Sequence, residues 1–92
     1  MKVVINKCYG GFGLSKKAKN RYAELKKSNI SEYDIPRNDP ILIQVIEELD
    51  EEANGFCAKL KIIEIPNDIK WTIEEYDGIE WVAEKHRTWG DD

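Results

Sequence analysis

The sequence predicts an α+β domain in which two helices pack on one side of a mostly antiparallel sheet, in the order β-α-α-β-β-β. Three observations carry that expectation. The chain opens with Val3, Val4 and Ile5, contiguous β-branched residues suited to a strand covered on both faces. Apolar residues then recur at helical spacing through two segments. Beyond Cys57 the period changes to two, and Asp77-Gly78 supplies the dipeptide of a two-residue hairpin turn.

Each element follows in order. The first strand is expected over residues 2–8 and ends in a glycine loop. Leu14-Ser15 reads as a hydrophobic staple and N-cap for a helix from Ser15 to Lys27, with Ala18, Tyr22 and Leu25 on one face and lysines on the other. Asp39-Pro40, a cap followed by proline at the first helical position, opens a second helix lined by Leu42, Val45, Ile46 and Leu49. Asn54-Gly55 is expected to close it with a left-handed residue. A strand from Cys57 to Ile65 sets Ala58, Leu60 and Ile62 against a wet face of Lys59 and Lys61. Trp71 to Tyr76 and Ile79 to Glu84 form the terminal hairpin, with Ile79, Trp81 and Ala83 on one face of the return strand. Residues 1–92, at 41% apolar content, suit a single domain near the lower size limit for a self-sufficient core.

Charge is unevenly spread. Residues 1–30 carry eight basic side chains against Glu24 alone, a charge of +7, whereas the remainder carries six basic and seventeen acidic, a charge of −11. A local basic surface on an acidic body can attract a phosphate-bearing ligand. The alternative is a lysine-rich helix that compensates acidic neighbours within the fold. Direct nucleic-acid binding is not expected, because the acidic body opposes the attraction to phosphate. No apolar stretch approaches the length of a bilayer span, so no membrane association is expected and a cytoplasmic location is. Cys8 and Cys57 lie outside any C-x-x-C pair and are expected to be buried thiols, and with His86 alone there is no zinc spacing. Neither a metal nor a cofactor is expected.

The segment CYGGFGLSKK raises the functional question. A strand, then Gly10-Gly11-Phe12-Gly13, then a helix opening at Ser15 is the local architecture in which backbone amides and a helix dipole attract an anion. Asn6 and Lys7 are the natural polar partners beside the loop, Tyr9 and Phe12 can stack on a ring, and Lys16 stands in the first helical turn. The glycines match neither the P-loop spacing nor the dinucleotide fingerprint, which excludes an ATPase and a dinucleotide oxidoreductase. The competing reading is a tight corner with Phe12 plugging the core. Near the C-terminus His86, Arg87 and Trp89 read either as an ordinary exposed tail or as a binding edge, with Arg87 suited to grip a phosphate. Cys8 with His86 is the one conceivable nucleophile and base, without an orienting third group, so an enzyme is not the favoured reading. Glu74, Glu75, Glu80 and Glu84 are expected to form a solvated hairpin face.

The stretches VVINKCYGGFGLS, IPRNDP, EEYDGIEW and HRTW resemble a set of small proteins encoded in bacteriophage and prophage genomes. The resemblance implies an accessory phage protein, for which counter-defence is a frequent occupation. It supplies no catalytic residue. Two expectations follow. One is a non-enzymatic binder of a phosphate-bearing small molecule, such as a nucleotide signal of host immunity. It would be held by Asn6, Lys7, Tyr9, Gly10, Gly11, Phe12, Gly13, Ser15, Lys16 and Arg87. The other is an inhibitor or adaptor of a host protein, acting through an acidic surface that includes Glu47, Glu48, Asp50, Glu51 and Glu52. So small a domain with three tryptophans can also complete its core or its site across the interface of a homo-oligomer.

Overall fold

Val3, Val4 and Ile5 are all buried, as a strand covered on both faces requires. They form β1 (Lys2–Asn6) in a computed structural model that describes residues 1–28 and 30–84. The element order is as expected: α1 (Lys16–Lys26), α2 (Pro40–Leu49), β2 (Leu60–Glu64), β3 (Trp71–Tyr76) and β4 (Ile79–Glu84), with 3-10 turns at Glu32–Asp34 and Asp50–Ala53. Val4 joins the core shared by the helices, where Leu14, Ala18, Tyr22, Leu42 and Val45 are buried together. Leu60 and Ile62, the apolar face of β2, pack against the same cluster.

Capping explains where the helices begin. The Ser15 hydroxyl accepts the Ala18 amide at 3.1 Å, and the Asp39 carboxylate accepts the amides of Ile41 and Leu42 at 2.8 and 3.4 Å. Lys27, in the left-handed region at φ 56°, ends α1. The end of α2 differs from expectation. Asp50, at a positive φ of 52°, is the residue that ends the helix, whereas Asn54 is extended at φ −68°. Asn54 is needed in that form because it bridges to Leu14, and its side-chain oxygen accepts the Leu60 amide at 2.9 Å, starting β2.

The strands form two antiparallel ribbons, β1–β2 and β3–β4, rather than one continuous ladder. The register of the first runs from Lys2↔Glu64 to Asn6↔Leu60. β4 lies beside the other edge of β1, but Arg37 and Glu80 occupy the bonds that a ladder would use. Val4 donates its amide to the Arg37 carbonyl at 2.8 Å, and its own carbonyl accepts from the Arg37 guanidinium at 3.3 Å. Asn6 donates its amide to the Glu80 carboxylate at 2.8 Å.

Glu80 therefore departs from the expected solvated face. It is buried, and its two oxygens accept from Arg37 at 2.5 and 2.9 Å. The same guanidinium stacks 3.7 Å from the centre of the Phe12 ring. One bidentate ion pair thus fastens the hairpin, β1 and the glycine loop, with the remaining oxygen valence filled by a backbone amide.

Candidate functional site

Three turns converge at the end of β1. Gly10 donates its amide to the Asp77 carbonyl at 3.1 Å, and Gly55 donates to the Gly13 carbonyl at 2.9 Å. The hairpin turn sits directly on the glycine loop: a Cβ at Gly78 would fall 2.2 Å from the Gly11 amide nitrogen and 2.7 Å from that of Gly10. Close backbone approach is thus one reason for glycine here, as the corner reading expects. Phe12 is buried in the core beneath the loop, also in keeping with that reading.

The expected site residues divide into two groups. Asn6 is fully buried and committed to the fold. Its side-chain amide donates to the carbonyls of Cys8 and Gly78 at 2.7 and 2.6 Å, and its oxygen accepts from the amides of Cys8 and Lys59 at 3.3 and 2.8 Å. Ser15 is spent as a cap and as a donor to the Glu52 carbonyl at 2.6 Å. Neither presents a free polar group to a ligand. Lys7, Tyr9, Gly11, Gly13 and Lys16 remain accessible, Tyr9 at 63% exposure. Arg87, with His86 and Trp89, lies outside the described residues.

Beside the loop a shallow groove of about 320 Å³ is lined by Gly11, Gly13, Lys19, Glu32, Tyr33 and Phe56. Tyr33 and Phe56 stand out from it, at 76% and 105% exposure. Gly13 has open space where a side chain would project, so its side of the groove is unfilled. The loop's capacity to hold an anion is partly used by the chain itself, since the Leu14 amide donates to the Glu32 carboxylate at 2.6 Å. Lys19 stands 4.0 Å from the same carboxylate, which leaves the groove close to electrically neutral.

The basic N-terminal unit is largely closed by ion pairs. Lys2 meets Glu47 at 2.9 Å, Lys17 meets Glu52 at 2.7 Å, and Arg21 reaches both Glu24 and Glu48 at 2.5 and 2.9 Å. Lys26 stands 3.5 Å from the buried Asp39, which also accepts from the Tyr22 hydroxyl at 2.7 Å. Burial, followed by that bond and the charge of Asp39, pushes the Tyr22 hydroxyl up to about 12. Burial alone would raise Asp39, yet the Tyr22 hydroxyl, the Ile41 and Leu42 amides and Lys26 hold it below the ordinary carboxylate value. The acids of α2 are engaged by the same contacts, so the expected acidic surface is reduced to its Asp50 and Glu51 end.

Lys7 is different. It is exposed and has no ion pair among the described residues, and the Lys7 amide donates to the Lys59 carbonyl at 2.8 Å. The β1–β2 register, continued by one pair, sets Lys7 opposite Lys59, with Lys61 opposite Ile5. Strand alternation puts all three lysines on one face. Lys59 and Lys61 are also exposed and without ion pairs among the described residues. They were legible in the sequence as a wet strand face, but their nearness to Lys7 required the register.

The cysteines depart from the buried reading. Cys57 is exposed at the turn before β2, and Cys8 is half-buried beyond the end of β1. Among the described residues no group of three or more histidine, cysteine or acidic side chains could hold a metal, and no helix is long and apolar enough to cross a membrane. No protein-family model, curated protein or solved structure matches the chain, so its functional reading rests on the chemistry of this strand end and groove.

Proposed function

We propose that this domain is a non-enzymatic binder of a phosphate-bearing small molecule, engaged at the end of β1 beside the glycine loop. The observation that carries the reading is Lys7, an exposed cation left without a carboxylate at the loop mouth while most of the N-terminal unit is neutralised. Tyr9, two residues further, offers an exposed ring for stacking on a base. Together they suit a nucleotide. With the resemblance to phage-encoded accessory proteins, the reading extends to capture of a nucleotide signal of host immunity.

A ligand that binds only the folded state raises the unfolding temperature by mass action. The test is a thermal-shift series with a nucleotide panel on the intact chain. A concentration-dependent rise that Lys7→Ala removes supports the reading, and flat curves across the panel reject it. Lys7→Ala is a cleaner probe than a change at Gly11, whose φ of 99° would strain any side chain.

The second reading, a host-protein adaptor, is favoured by the exposed rings of Tyr33 and Phe56 rather than by the acids of α2. Exposed aromatics of this kind are frequent anchors of protein interfaces. Capture of a host protein that Phe56→Ser abolishes, with Lys7→Ala without effect, would select it.

A further inference from the structure

We infer that Lys7, Lys59 and Lys61 form one polyphosphate site, made for a chain of two or more phosphates rather than a lone monoester. The inference rests on the reading of this domain as a phosphate binder and names the ligand class. Lys7 and Lys59 face each other across the ribbon, where like charges destabilise the pairing. Lys61 follows Lys59 by two strand positions, about 6.6 Å along the same face. The carboxylate of this ribbon, Glu64, lies at its opposite end, paired across from Lys2. None of the three lysines has an ion pair among the described residues, in contrast to Lys17, Arg21 and Lys26 of α1.

Three cations outnumber the charge of one phosphate monoester, which is about two at most. A di- or triphosphate has both the length and the negative charge to span them, and its binding removes the repulsion across the ribbon. Tyr9, exposed and two residues beyond Lys7, supplies a ring on which a base attached to that chain can stack, which distinguishes a nucleotide from inorganic polyphosphate.

The test uses isothermal titration of the intact chain at fixed ionic strength with adenosine, AMP, ATP, inorganic phosphate and tripolyphosphate. ATP and tripolyphosphate are expected to bind, ATP the more tightly, with AMP, adenosine and phosphate at least about tenfold weaker. Lys59→Glu and Lys61→Glu should each abolish ATP and tripolyphosphate binding. Lys70→Glu, the same charge change at an exposed lysine outside this ribbon, should leave both in place. Equal affinity for AMP and ATP, lost in Lys7→Ala but kept in Lys59→Glu, would overturn the polyphosphate site and leave the phosphate binder standing. Equal losses in Lys59→Glu and Lys70→Glu would reduce the effect to overall charge and overturn the site. No binding by any probe would overturn both readings.

Discussion

The helix side and the ribbon end use the same residue type to opposite effect. On α1, Lys17, Arg21 and Lys26 each meet a carboxylate from another part of the chain, and Lys2 does so from β1. At the ribbon end Lys7, Lys59 and Lys61 stand close together with no such partner among the described residues. The lesson is that a charge summed over a segment does not measure a surface. The +7 of residues 1–30 is mostly consumed by acids that approach in space. The cationic patch that survives draws two of its three members from the acidic remainder.

The largest effect should come from opening the most closed charge pair. Arg37→Leu leaves the buried Glu80 charge alone and is expected to cost about 3–5 kcal/mol by chemical denaturation, with Glu80→Leu, which leaves the partly exposed Arg37, costing less. The double variant should recover part of that loss, since no charge is then left unpaired and only two backbone groups, the Asn6 amide and the Val4 carbonyl, lose their side-chain partners. Equal costs for the single and double variants would show that packing, not charge, holds the hairpin.

Next comes the buried Tyr22–Asp39 contact. Tyr22→Phe should cost about 2 kcal/mol, the range for a bond to a charged group. It also sets an alkaline limit. The unfolded tyrosine releases its proton near 10.0, whereas the folded one holds it to about 12. The contribution is therefore complete below pH 10.0 and is lost as pH rises through about 12. Stability measured across that window should fall in the native protein with an added slope that Tyr22→Phe lacks.

The smallest effect has the most telling sign. Lys59→Glu places an opposite charge across from Lys7 and should stabilise the fold by about half a kcal/mol, an advantage that shrinks in salt. A destabilised variant would mean that the lysines are not in repulsion, and the contrast between the two regions would lose its basis. Stabilisation accompanied by loss of ATP binding would sharpen it, because the site would then be maintained at a cost to stability.

Much of the fold was legible because its signals are local. Ser15 and Asp39-Pro40 mark helix starts through side-chain acceptors within three residues of the amides they cap. Ala18 and Tyr22, or Leu42, Val45 and Ile46, share a face through the helical period alone. Asp77-Gly78 fixes the hairpin through its own positive φ angles of 50° and 93°. The glycine loop was legible as a loop, but its role was not, because the hairpin turn that presses on Gly10 and Gly11 comes from the far end of the chain.

By itself the sequence determined the α+β order, the helix caps, the hairpin turn and a β1 buried on both faces, since each follows from propensity or period within a few residues. Only tertiary structure decided the rest. It placed Arg37 on Glu80 across 43 residues, turned Asn6 from a ligand group into a buried brace, and closed most of the N-terminal cations on distant acids. It also brought Lys7 beside Lys59. Pairing between charges depends on which backbones lie within a few ångströms, and that distance is set by packing rather than by position along the chain.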